Sequence, residues 1–107
     1  MKLMTKAIEK ELAKHPFGST EGMGLDAPVI VKFFGGSACT WLVTEGEKLG
    51  DDWEFFGMVT LDGTYWEYGY FMFSEIANLR FPPFGLGLER DYYFSGKLRD
   101  EVRDVVA

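Results

Sequence analysis

Apolar residues Met4, Ile8 and Leu12, with Ala7 beside them, recur at helical spacing, while Lys6, Glu9, Lys10, Glu11 and Lys14 take the other side. The spacing predicts a helix over residues 3–14. Thr5 can cap it, and Pro16 ends it because the residue before a proline is driven out of the helical region. A Gly-rich connector, residues 17–27, leads to a continuous apolar run over 29–34, broken only by Lys32, which reads as a strand. Gly35–Gly36–Ser37 reads as a loop, and residues 39–44 alternate as a second strand with Cys39, Trp41 and Val43 on one side. The polar segment 45–52, holding Gly46 and Gly50, reads as a turn.

Residues 53–61 and 64–72 predict two further strands, joined by Asp62–Gly63. That dipeptide suits a type I′ hairpin, which needs positive φ at both central positions. The register then sets Val59 opposite Trp66, Phe55 opposite Tyr70 and Trp53 opposite Met72. Phe55, Tyr68 and Tyr70 fall on one face, with Glu54, Phe56, Glu67 and Phe71 on the other. The strongly aromatic face calls for helices, and the mixed face for a partial cover or a partner. Beyond the hairpin, Ser74 caps a short helix over 75–79, residues 81–88 form a Pro- and Gly-rich loop, and 89–94 add an edge strand. Residues 97–105 close the chain as a helix with Leu98, Val102 and Val105 on one stripe. The expected fold class is α+β: one domain over residues 1–107, an antiparallel sheet of four to five strands with two to three helices.

Composition narrows the class. The chain has 107 residues, 47% apolar and 26% charged, values that exclude disorder, collagen and coiled coil. Ten Phe, five Tyr and three Trp make it rich in aromatics. A net charge of −6 disfavours direct nucleic-acid binding and attraction to anionic membranes. One cysteine, Cys39, excludes an internal disulfide and a Cys-rich zinc site. No apolar run approaches the ~20 residues of a membrane span, and the N-terminus is unlike a signal peptide. A soluble cytoplasmic protein is expected.

The charge is concentrated. Residues 45–67 hold seven acids and one base, Lys48, whereas the rest of the chain holds ten of each. Glu45, Glu47, Asp51, Asp52, Glu54 and Glu67 therefore form the candidate partner-binding patch, an anionic hairpin for a basic protein surface such as a nucleic-acid groove. The competing reading is a solvated edge that discourages strand pairing. Calcium ligation finds no alternating spacing: Asp51 and Asp52 are adjacent. The glycines at 35–36 and 85–87 lack the lysine of a P-loop and the third glycine of a dinucleotide fingerprint. His15, the only histidine, has no motif around it. Glu54 and Glu67 share a predicted face but sit roughly 13 Å apart, wide for a glycosidase pair. No catalytic constellation, metal site or cofactor is expected. The second candidate is a polar cluster of Glu89, Arg90 and Asp91 near Trp41, which would serve a small-molecule binder or small enzyme.

The strings Val31–Lys32–Phe33–Phe34, Thr40–Trp41, Thr44–Glu45–Gly46–Glu47 and Asp51–Asp52 resemble the small bacterial family known as domain of unknown function 2958. So do Glu67–Tyr68–Gly69–Tyr70–Phe71, Phe73–Ser74–Glu75–Ile76 and Leu88–Glu89–Arg90–Asp91, so the likeness runs over nearly the whole chain. The resemblance brings no catalytic residues. It implies a setting, the accessory proteins of plasmids, phages and conjugative elements. Small acidic proteins there are often inhibitors of host nucleases or partners of replication and transfer proteins. The expectation is a non-enzymatic interaction module or inhibitor with a basic, nucleic-acid-processing partner. Self-association through Phe56, Met58 and Phe71 is a further expectation.

Overall fold

The computed structural model describes residues 2–102. Helix α1 spans Lys6–Leu12, shorter than the periodicity suggested, with the Thr5 hydroxyl accepting from the Ile8 amide at 3.2 Å. Its last residue, Leu12, is fully buried. The strands are β1 (Pro28–Val29), β2 (Val31–Gly35), β3 (Cys39–Leu49), β4 (Asp52–Thr60) and β5 (Glu67–Met72). Helix α2 (Phe73–Ala77) follows, then β6 (Arg80–Phe81), β7 (Leu86–Gly87), β8 (Glu89–Arg90) and β9 (Gly96–Lys97). The main sheet is antiparallel in the order β5-β4-β3-β2-β8, with β1–β9 and β6–β7 as two small ribbons. The expected α+β class holds.

The two hairpins exchange their expected connections. β3 runs on through the expected turn to Leu49, and Gly50–Asp51 alone join it to β4, with Gly50 at φ +63°. Gly46 sits inside β3 as a seat: a Cβ there would stand 3.0 Å from Phe55 and 3.1 Å from Leu12, so its absence lets α1 press on the sheet. The Asp62–Gly63 connection instead opens into a six-residue loop, residues 61–66. Asp62 does not take positive φ, so the type I′ turn cannot form. Its carboxylate accepts from the amides of Thr64 and Tyr65, both at 2.8 Å, and from the Thr60 hydroxyl at 3.1 Å. The register shifts by one: Phe55 pairs with Phe71 and Phe56 with Tyr70. Phe71 thus changes place with Tyr68 and Tyr70, and Glu54 and Glu67 lie on opposite faces.

One face, the helix face, carries Phe33, Trp41, Val43 and Phe55 under Leu12 of α1 and Ile76 of α2. Phe55 is ringed by Phe71 at 5.7 Å, Phe33 at 6.2 Å and Phe73 at 6.2 Å. The other face is covered only in part: Leu42 and Met58 pack with Ala27, Leu98 and Val102. This is the helix-covered face and partly covered face that the mixed hairpin called for, with different residues on each.

Three further expectations change. Ser74 lies inside α2 and bonds Asp52 rather than capping; Met72 holds the cap position, its amide bonded to Glu75 at 2.9 Å. The edge strand shrinks to Glu89–Arg90 because the Asp91 carboxylate turns the chain, accepting from the Tyr93 and Phe94 amides at 2.9 and 3.0 Å. Of the expected closing helix, Lys97 is extended and Leu98–Asp100 form a 3₁₀ turn; Val105 lies outside the described residues.

Candidate binding cleft

The partly covered face owes its chemistry to a β-bulge. Val43 pairs with Gly57 and Glu45 with Phe56, leaving Thr44 as the extra residue. Strict alternation from Trp41 and Val43 would have driven Glu45 into the helix face. The bulge turns it to the opposite side, in one row with Phe56 and Tyr70. Gly57 makes this possible, since a Cβ there would lie 1.8 Å from the Leu42 carbonyl oxygen.

Glu45, only 3% exposed, clasps the Gly-rich connector. One carboxylate oxygen accepts from the Gly18 amide at 2.8 Å. The other accepts from the Thr20 amide at 2.9 Å and from the Thr20 hydroxyl. Two residues along, Glu47 accepts from the Phe17 amide at 2.9 Å. Burial alone would raise the Glu45 pKa. The Thr20 hydroxyl, the Gly18 and Thr20 amides and the nearby His15 outweigh it and hold the group below the usual carboxylate value. Glu45 is therefore charged at neutral pH.

Between the connector and the sheet lies a cleft of about 660 Å³. Gly18, Thr20 and Glu21 form its rim, Thr44 and Glu45 its floor, and Phe56, Tyr68 and Tyr70 its aromatic wall. Phe56 stacks on Tyr68 at 5.7 Å and an interplanar angle of 7°, and meets Tyr70 at 4.8 Å. Phe17 packs edge-on to Tyr70 at 5.3 Å. Tyr68 and Tyr70 stay 49% and 63% exposed. Among the described residues, two carboxylates and no basic side chain line the cleft.

The family model for DUF2958, described as a protein of unknown function, matches residues 3–101. The chain belongs to this family. No curated protein and no solved structure matches it.

Within this DUF2958 fold the six acids of the anticipated patch take different places. Glu45 is in the cleft floor. Asp52 is half-buried and ties β4 to α2, accepting from the Trp53 amide at 2.8 Å, the Ser74 amide at 3.1 Å and the Ser74 hydroxyl. The Ser74 hydroxyl above all, then the amides, lowers its pKa. Glu47 and Asp51 are exposed near the hairpin tip, Glu54 faces Glu47 across the ladder, and Glu67 is exposed on β5.

The second cluster does not gather. Trp41 is buried in the core, and Arg90 lies in its row beyond Phe33, with its guanidinium over the Tyr92 ring at 4.5 Å. Glu89 and Asp91 point to the other side. Asp91 is 3.6 Å from Lys32, which also pairs with Glu101. Among the described residues no three His, Cys, Asp or Glu come together as a metal requires, and no helix is long and apolar enough to cross a membrane. Sequence reasoning missed Phe56, Tyr68 and Tyr70 as one wall because their union depends on the shifted register.

Proposed function

We propose that this DUF2958 protein is a non-enzymatic binding module whose cleft takes a cationic side chain of a basic protein partner. The observation that carries this reading is the pairing of an aromatic wall, Phe56, Tyr68 and Tyr70, with the carboxylates of Glu21 and Glu45 and no basic lining residue among the described residues. A guanidinium or ammonium over a tyrosine face gains about 0.5–2 kcal/mol, most where water is excluded. The Glu45 carboxylate adds a fixed negative charge, since its pKa is lowered. The surroundings favour the same occupant: from Leu49 to Leu79 there are six acids and no Lys, Arg or His.

Such a surface suits proteins that handle nucleic acid, whose basic side chains otherwise hold phosphate. Occupying one of those side chains would inhibit the partner, the role implied by the family's setting. Titration of the isotope-labelled protein with an arginine-rich peptide tests the reading. Shifts at Tyr68, Tyr70 and Glu45 are expected, with affinity falling as salt rises and about tenfold weaker after Tyr70→Ala. Equal affinity of the Tyr70→Ala protein would overturn it.

A further inference from the structure

The tyrosines of the cleft stand on a strand at the edge of the sheet. β5 ends the five-stranded sheet, and among the described residues no strand pairs with its outer edge. Every second residue of an antiparallel edge strand turns its N–H and C=O outward, which makes it a template for another chain. Natural edges are blunted by lysine, proline or a bulge. β5, Glu-Tyr-Gly-Tyr-Phe-Met, contains neither Lys nor Pro, and its pairing with β4 is regular from Glu67 to Met72.

The side chains along this edge specify what could be added. Tyr68 and Tyr70 project on the cleft side, so alternate residues of an added strand would lie beside them at cross-strand distance. Glu67, Gly69 and Phe71 project on the other side. A Cβ placed on Gly69 would meet nothing within 4 Å, so there is open space between Glu67 and the half-buried Phe71. An apolar side chain of a neighbouring strand fits over such an edge glycine. The charge selects among strands: Asp52, Glu54, Glu67 and Glu75 lie on β5 and the elements beside it and Asp51 in the turn before β4, with no base from Leu49 to Leu79.

We propose that the partner binds as an extended basic segment that adds a sixth strand to the sheet along β5, stacking alternate Arg or Lys side chains on Tyr68 and Tyr70 and laying the intervening apolar side chain over Gly69. Main-chain hydrogen bonds supply affinity, and the alternation of basic and apolar residues supplies specificity. This deepens the cationic-cleft reading and rests on it.

The test selects binders to the intact protein from a random peptide library and measures amide hydrogen exchange of the complex. The selected peptides should alternate basic and apolar residues, and outward-facing β5 amides should exchange at least about tenfold more slowly. Methylating alternate backbone nitrogens of a selected peptide, which removes its main-chain donors, should weaken binding about tenfold or more. Peptides that shift the tyrosines but leave β5 exchange and the N-methyl series unchanged would overturn strand addition while the cleft reading stands. Selection of non-basic peptides, or of none, would overturn both. Protection of β5 that grows with protein concentration alone would assign the edge to a second copy of this chain and overturn the proposal.

Discussion

Phe55 and Phe56 are neighbours in β4, yet one is fully buried among four aromatic rings and the other helps to wall an open cleft. The same contrast separates the two faces of the sheet. The helix face is closed by Leu12 and Ile76 from two short helices, and its content is apolar. The cleft face is closed at one end by Leu98 and Val102; at the other the connector is tied to the sheet by hydrogen bonds to Glu45 and Glu47 and the cleft lies between them. A domain of this size can hold its shape with one complete core. The second face is then free to carry polar groups and exposed aromatics that a core would reject.

The largest expected effect falls on the residue that separates the two faces. Gly57→Ala puts a methyl 1.8 Å from the Leu42 carbonyl oxygen, against backbone that cannot yield. A loss of about 3 kcal/mol or more, or failure to fold, is expected from urea denaturation. A stable Gly57→Ala protein would remove the bulge geometry from which the cleft is derived.

Next come the two neighbours in β4. Phe55→Ala should cost about 3–5 kcal/mol, whereas Phe56→Ala should cost about 1 kcal/mol or less and weaken arginine-peptide binding instead. Comparable losses of stability for the two would break the distinction between a closed and an open face.

Glu45 sharpens it further, because its charge is structural. Glu45→Gln sets an amide nitrogen among N–H donors and should cost about 1–3 kcal/mol at neutral pH. The wild-type carboxylate has a folded pKa below the ordinary 4.5, so its contribution is complete above that pH and is lost as pH falls through the lower folded value. The stability gap between wild type and Glu45→Gln should therefore narrow below about pH 4.5. Asp26, Asp52 and Asp62, also lowered, are present in both proteins and cancel. A gap constant from neutral to acid pH would show that the charge of Glu45 is not what the connector recognises.

The smallest effect is local. Asp62→Ala removes the acceptor for the Thr64 and Tyr65 amides, and these two should exchange faster with little change in global unfolding. Unchanged exchange would mean that the loop, and with it the β4–β5 register, is set elsewhere.

Much of this was legible in the chain. Local patterns determined the α+β class, Thr5 as the helix cap, the strand around Phe33, the alternation of Cys39, Trp41 and Val43, and the acidic character of the central hairpin, because each depends on residues close in sequence. Membership of DUF2958 was legible for the same reason, in contiguous strings of residues. The tertiary structure alone decided which residues face one another. Glu45, Gly46 and Glu47 look like a turn by themselves. They form strand because Gly46 receives Leu12, and because the two carboxylates find amide donors 25 to 30 residues away. Asp62–Gly63 looks like a tight turn, but a side chain accepting three hydrogen bonds favours a wider loop and moves every β5 side chain to the other face. A strand has a period of two, so one residue of slip or one bulge reverses which side is buried. Here one slip and one bulge together bring Phe56, Tyr68, Tyr70 and Glu45 to a single cleft.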